Sequence, residues 1–320
     1  MGQAATALAA WGIEAELDVI GDGLINRTWL ARTARGAVGF LQELNTRIFR
    51  AEVHEDIEAV TDRLAAAGLP TPRLVRTVHD RLWFTDPDGA VWRLLTPVGD
   101  RTVHRLVDPA DARSAGGLVA RFHAATRDLD WTFRSVRPGA HHTPTHMERM
   151  RVAVEAHPDH RLAAAVAPLA DGIAAAWGRW EGPSELPVRI VHGDLKISNV
   201  RFLGAEAHAL VDLDTLAHGT LDVELGDMLR SWCNRASEDE PEPAFDLALF
   251  AGAIAGYAGW AQDVTAAEWT AIVPGAERIA LELAARFAAD ALAESYFGWN
   301  PRFGTRGEHN LLRARGQLAL

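Results

Sequence analysis

The octapeptide HGDLKISN, His192 to Asn199, gathers ionisable and amide side chains at a spacing suited to chemistry. It also holds the chain's single lysine: of 32 Lys and Arg residues, all but Lys196 are arginine. Asp194 and Asn199 fall in a D-x-x-x-x-N pattern after the strand-like VRIVH, and ALVDLDT then places Asp212 at the end of another apolar strand. That set suits phosphoryl transfer, in which a protein aligns an attacking hydroxyl while Mg2+ bridges the phosphates. Asp194 is the candidate to accept or orient the hydroxyl proton. Asn199 and Asp212 offer the hard oxygen donors that Mg2+ prefers. Asp214 shares the strand face of Asp212 by alternation and is expected to add a metal or a substrate contact. Lys196 is placed to set a point charge against the transferring group. His192 is expected to brace the loop by hydrogen bonding.

The elements that must position these residues are legible in the pattern. From Leu17 to about Leu95 the chain reads as short strands, LDVIG, TWLAR, VGFLQEL, RLVRTV, LWFT and VWRLL, separated by Gly, Asp and Pro. One helix interrupts them, with Val53, Ile57, Val60 and Leu64 at helical spacing before Gly68. Beyond Pro97 come long Ala-rich helical stretches, expected near 109–127, 146–156, 160–180, 245–261 and 266–297. Between them VRIVHGDLKISNVRFLGAEAHALVDLDTLAHG reads as strand, loop, strand, turn, strand. A Pro and a Gly interrupt the pattern at Thr96 to Asp100, so two units are expected, residues 1–97 and 98–320.

Composition bounds the partners. A formal net charge of -11 and no basic stripe argue against nucleic acid or an anionic membrane surface. The longest apolar stretch, Leu247 to Ala261, is too short to span a bilayer and reads as a buried helix. The N-terminal MGQAATALAAWGIEAEL lacks a basic start and does not read as a secretory signal. The lone Cys233 precludes an internal disulfide and fits a reducing, cytoplasmic setting as a buried thiol. GAHHTPTH, with His141, His142 and His146, reads as a polar loop near a substrate cleft rather than as a zinc site.

Together, VHGDLKISNV and LVDLDT resemble the aminoglycoside phosphotransferase and choline kinase superfamily. Within it, GLINRT (23–28), LQELNTRIF (41–49), DLDT (212–215), GDMLR (226–230) and HNLLRARGQ (309–317) are similar to the N-acetylhexosamine 1-kinase group, while Gly193 and Ser198 follow the broader superfamily pattern. The resemblance covers almost the whole chain. It implies an α+β, protein-kinase-like two-lobed fold, with a small β-rich nucleotide-binding lobe and a larger, mainly helical lobe that carries catalysis and the acceptor. ATP and Mg2+ are the implied cofactors. Gly23, Leu24, Asn26 and Thr28 would contact the nucleotide, and Leu95 would lie in a hinge, 94–97, that holds the adenine through backbone groups. Gln42 stands at the strand position where most kinases of this fold carry a lysine, whose partner acid on the next helix would be Glu55 or Glu58. Asp227 reads as a structural brace or helix cap. On the acceptor side the implied residues are Asp194, Arg286, Asp290 and Tyr296. The implied activity is phosphorylation of a sugar hydroxyl, with the anomeric position of an N-acetylhexosamine or amino sugar preferred. An aminoglycoside or choline-like acceptor is the alternative within enzymes, and a nucleotide-binding pseudokinase, motivated by Gln42, is the alternative outside them. The protein is expected to be a monomer or homodimer.

Overall fold

The computed structural model describes residues 2–20, 25–183, 185–236, 238–240 and 242–320. The chain opens with helix α1 (Gly2–Leu8), followed by strands β1 (Glu16–Ile20), β2 (Arg27–Thr33) and β3 (Gly36–Glu43). Helix α2 (Val53–Ala66), β4 (Phe84–Thr85) and β5 (Val91–Leu95) complete an antiparallel sheet of order β1-β2-β3-β5-β4. The strands alternate as β geometry demands. Trp29, Leu41, Trp92 and Leu94 are buried against Ala4, Ala7, Leu8 and Trp11 of the N-terminal segment. Their neighbours Thr28, Gln42 and Arg93 lie directly opposite one another across β2, β3 and β5, on the reverse face. The expected strand RLVRTV forms only a single bridge, Leu74 to Leu95. Pro70 and Pro72 remove donors ahead of it, and Arg73 donates from its side chain to the Thr61 carbonyl of α2.

The chain passes to its larger, helical part between Thr96, whose amide still donates to Arg73, and Asp100, whose amide donates to Phe202. This part comprises β6 (Arg101–Thr102), α3 (Pro109–Thr126), α4 (Thr143–Ala156), α5 (Ala163–Trp177), β7 (Val188–Val191), β8 (Val200–Leu203), β9 (Glu206–Leu210), β10 (Ala217–Thr220), α6 (Leu221–Trp232), α7 (Leu247–Ala258), α8 (Ala266–Ala293) and α9 (Arg306–Ala319). The fold is thus a mixed α+β arrangement, a small antiparallel sheet beside a larger helical body. β6, β8 and β9 form a three-stranded sheet, and β7 pairs with β10. The 193–199 loop therefore springs from one small sheet and enters the other, and Asp212 follows β9.

One core joins α2, α3, α6, α7 and the β7–β9 region, and a second joins α4, α5, α8 and α9. Helix α6 is pressed against α8 with no room to spare: a Cβ on Gly275 would sit 2.1 Å from the Asp222 carbonyl oxygen. Gly275→Ala is accordingly expected to cost about 2 kcal/mol or more, since overpacking against backbone cannot relax by a rotamer change. Urea denaturation measures it.

Candidate active site

The 193–199 loop is anchored by its own alternation. Leu195 and Ile197 are buried in the main core, while Asp194 and Lys196, alternating with them, stay partly exposed. Each such leucine or isoleucine contributes about 2 kcal/mol by burial, which fixes the polar residues between them. Helix α6 supplies the rest of the hold. Buried Glu224 accepts the backbone N–H groups of His192 at 2.7 Å and Gly193 at 3.0 Å, Ser231 accepts that of Ile197, and the Trp232 indole donates to the Leu195 carbonyl. Gly193 has φ +78°, and a Cβ there would lie 2.5 Å from the Thr215 carbonyl oxygen, so glycine is required. His192 is fully buried, with Nε2 on the Val211 carbonyl and Nδ1 accepting from the Asp194 amide. Both ring nitrogens are engaged, which makes it a brace.

Within this frame Lys196 Nζ donates to Asp194 Oδ2 at 2.6 Å and lies 3.8 Å from Asp212 Oδ2. Asn199 Nδ2 donates to the Asp194 carbonyl at 2.8 Å and to Asp194 Oδ2 at 3.1 Å. Two consequences follow. Asp194 Oδ1 accepts no hydrogen bond among the described residues, so one carboxylate oxygen keeps its accepting capacity. Asn199 is oriented with its Oδ1 similarly uncommitted. Asp212 adopts the left-handed conformation, φ 63° and ψ 53°, which costs a non-glycine residue about 1–2 kcal/mol. Burial and the neighbouring Asp214 charge push the Asp212 carboxyl up in pKa, against the pull of Lys196. Burial opposes the Lys196 charge, but Asp194 and Asp212 outweigh it and hold the ammonium above its usual range. Asn199 Oδ1 and the Asp212 carboxylate are hard oxygen donors with spare capacity, and they fit Mg2+, which takes few protein ligands beside phosphate and water.

Asp214 differs from the expectation of a metal contact. Its carboxylate is 1% exposed and is taken up by Arg93, through Nη1 to Oδ1 and Nη2 to Oδ2 at 2.8 Å, and by Asn26 Nδ2 at 2.6 Å. Alternation after β9 is broken by the 3-10 turn Leu213–Thr215, which rotates Asp214 away from Asp212 and towards the sheet. The arginine holds its carboxyl below the ordinary range although burial works the other way. Asn26 also accepts the Asn45 amide through Oδ1, so its side chain ties the start of β2 to the helical part. Thr28 and Gln42 continue the row: Gln42 Nε2 donates to Thr28 Oγ1 at 3.0 Å, and Arg93 Nε donates to Gln42 Oε1 at 2.8 Å. Gly23 and Leu24 lie outside the described residues. Leu95 ends β5, half-buried.

Neither expected helix acid faces this row. Glu58 pairs with Arg76 on the surface, and Glu55 approaches Arg134 at 3.9 Å. The inward position belongs to His54, which is wholly buried, stacks on Trp83, and has an Nε2 without a hydrogen-bond partner among the described residues. Burial and the Arg93 charge lower its pKa to about 4. Arg93, His54 and Glu224 escaped the sequence reading. For Arg93 a signal existed: alternation in VWRLL sets it opposite Trp92 and Leu94, on the Gln42 face.

On the acceptor side, Asp227 lies within α6 and pairs with Arg230, which reaches Glu238 in turn. Arg286 lies 3.8 Å from Glu282 and over the Phe297 ring. Tyr296, more than half exposed, accepts from Arg137 at 3.0 Å. Asp290 is placed elsewhere than expected. It is buried and accepts the backbone N–H groups of Ser295, Tyr296 and Phe297 and the Asn310 side-chain amide. It caps the turn that carries Tyr296 and leaves no oxygen for a ligand. His141 connects Glu282 at 3.1 Å with the Gly193 carbonyl at 3.4 Å, His142 caps α4, and His146 binds the Ala140 carbonyl. Buried Cys233 has its thiol pushed up to about 12 by desolvation, which makes it inert.

A family model described as the phosphotransferase enzyme family matches residues 16–262. Curated relatives include a homoserine kinase of Methylocella silvestris, 27% identical over 232 residues, and one of Rhodopseudomonas palustris, 27% identical over 224 residues. These matches cover 71% and 68% of this chain but only 66% and 63% of the relatives' own lengths. Among solved structures, an amicoumacin kinase in complex with AMP-PNP, Ca2+ and Ami has a TM-score of 0.67 at 14% identity, covering 98% of this chain and 91% of the other. A microcompartment-associated aminopropanol kinase has a TM-score of 0.67 at 17% identity, covering 100% and 95%. These likenesses bear on the fold alone. Among the described residues no helix is long and apolar enough to cross a membrane.

Replacing Glu224 by glutamine would aim an amide at two backbone donors. Amide hydrogen exchange across 192–199, read by mass spectrometry, is expected to accelerate by about 10- to 100-fold, the equivalent of one lost buried hydrogen bond or two. His54 gives a second test. Its folded pKa, near 4, lies below the usual 6.5, so between those values the unfolded chain binds a proton that the native protein refuses. Stability therefore falls as pH drops below 6.5, by about 2 kcal/mol at pH 5. His54→Leu should lose that increment of pH dependence in denaturant titrations at pH 7 and pH 5.

Proposed function

The chain belongs to the phosphotransferase enzyme family, and from that premise we propose that it transfers the terminal phosphoryl group of ATP, with Mg2+, to a hydroxyl of a small acceptor that bears an amine or an acetamido group. The observation that carries this reading is the grouping of Asp194, Lys196, Asn199 and Asp212 in one contiguous cluster, with Asp194 Oδ1 uncommitted among the described residues. Asp194 orients the acceptor hydroxyl and takes its proton as the oxygen attacks. Lys196, fixed on Asp194 Oδ2, keeps the carboxylate pointed and places a positive charge beside the transferring group. Asn199 Oδ1 and Asp212 would hold Mg2+, which would supply positive charge to offset that of the phosphates. Thr28 and Gln42, on the reverse face of the sheet from Trp29 and Leu41, are assigned to the nucleotide side, and Arg286 and Tyr296 to the acceptor side. The intact acidic and amide set argues against a pseudokinase.

For the acceptor, two chemistries are in view. The motifs GLINRT, DLDT and HNLLRARGQ favour the anomeric hydroxyl of an N-acetylhexosamine or amino sugar. The curated homoserine kinases and the aminopropanol kinase favour a small amino alcohol. Phosphorus NMR with Mg-ATP and, separately, N-acetylglucosamine, N-acetylgalactosamine, glucosamine, homoserine, 1-amino-2-propanol, choline and an aminoglycoside tells them apart. An anomeric sugar phosphate is expected, and it should fall by about 10²- to 10⁴-fold in Asp194→Asn. A phosphomonoester of homoserine or aminopropanol alone would replace the sugar. Nucleotide binding with no transfer to any acceptor would favour the pseudokinase.

A further inference from the structure

We propose that Arg93 is a positioning residue that couples the seating of the N-terminal sheet to the orientation of Asp212; the inference rests on the phosphotransferase reading above. The chain has a single lysine, and it sits in the 193–199 loop, while the inward strand position of β3 holds the neutral Gln42. Arg93, the residue paired with Gln42 on β5, provides the cation of this face. It is 1% exposed and bonds its partners directly. Its Nε is held by Gln42, and its two terminal nitrogens grip both oxygens of Asp214.

Asp214 belongs to the helical part, yet the hydrogen bonds its side chain accepts come from the sheet side, from Arg93 and Asn26. It stands two residues after Asp212, in the same tight turn. The left-handed backbone of Asp212 persists only while its surroundings over-determine it. Four restraints do so: the Val211 amide on the Asn199 carbonyl, the Val211 carbonyl on His192 Nε2, the Thr215 hydroxyl on the His192 carbonyl, and Asp214 on Arg93 and Asn26. The first three are internal to the helical part. The fourth exists only when the sheet is seated. A buried carboxylate without its cation is strongly unfavourable, so a sheet that lifts away withdraws Arg93, releases Asp214 and frees the turn that aims Asp212 at the metal. Neutral His54 flanks the pair and adds no competing charge.

The test needs no acceptor. Binding of ADP is measured by calorimetry with and without Mg2+ for wild type, Arg93→Met, Arg93→Lys and the double variant Arg93→Met/Asp214→Leu, alongside Tm. The double variant removes both charges, so its Tm should recover towards wild type. Its ADP affinity in the presence of Mg2+ should stay at least about tenfold below wild type, the scale of an ordinary coupling between sites, while affinity without Mg2+ changes little. Arg93→Lys keeps the charge and loses the two-pronged grip; it should fold and show a smaller loss of the same kind. Recovery of Mg-ADP affinity together with Tm in the double variant would make the pair a purely structural bond and overturn the proposal, as would wild-type Mg-ADP affinity in Arg93→Met or Arg93→Lys. If wild type itself shows no Mg2+-dependent ADP binding, the phosphotransferase reading falls first, a result distinct from a defect confined to the variants.

Discussion

Crowding of like charge is the constraint around which the site is organised. Asp194, Asp212, Asp214 and Asp227 converge from the catalytic loop, the turn after β9 and helix α6. Carboxylates packed this closely cannot all stay ionised unless cations are interleaved among them. The chain answers with one cation per carboxylate in three cases: Lys196 on Asp194, Arg93 on Asp214 and Arg230 on Asp227. Asp212 receives only a second, longer share of Lys196, at 3.8 Å. It is the carboxylate with the smallest share of a cation, and burial, with the Asp214 charge added, holds its carboxyl above the ordinary range. A dication is the natural complement to such a position, so the charge pattern and the donor chemistry of Asn199 and Asp212 point to the same place.

Holding that pattern is the task of the surrounding backbone. Glu224 closes two backbone donors at the glycine turn, and Trp232 and Ser231 fasten the next residues, so α6 acts as a splint along the loop. The splint is rigid because α6 meets α8 at backbone contact distance. Strain at Asp212 and the left-handed Gly193 are local costs, and they are sustained by packing remote from the cleft. Stability and function are linked here through the same helix.

What was legible from sequence follows the length scale of each interaction. Helices α2 to α5, α7 and α8 and strands β1 to β3 announce themselves by periodicity, whereas α6, the helix that holds the loop, was not read; the 192–199 loop is legible because its residues are adjacent in the chain. Asp214 and Arg93 stand 121 residues apart, and nothing in either segment names the other. VWRLL was read only as a short strand, with no face assigned to Arg93, although its alternation marks that face. Asp290 shows the opposite failure: helical spacing put it one turn from Arg286, but the chain turns back just past the C-terminal end of α8, and the N–H groups of the turn at 295–297 are aimed at that carboxylate. His54 was passed over because carboxylates were sought on α2, and burial selected a neutral ring instead.

The use of one lysine among 31 arginines can now be argued physically. At position 196 the cation must serve two carboxylates at unequal distances while leaving Asp194 Oδ1 open. An ammonium is a compact point charge with rotating donors, and it can sit on one oxygen and still act on a second group. A guanidinium presents a planar fork that prefers both oxygens of one carboxylate, as Arg93 does with Asp214. Placed at 196, that fork would also occupy Asp194 Oδ1, the oxygen assigned above to the acceptor hydroxyl. The two cations therefore differ in what they leave free: Arg93 takes both oxygens of its carboxylate, whereas Lys196 takes one and leaves the other open.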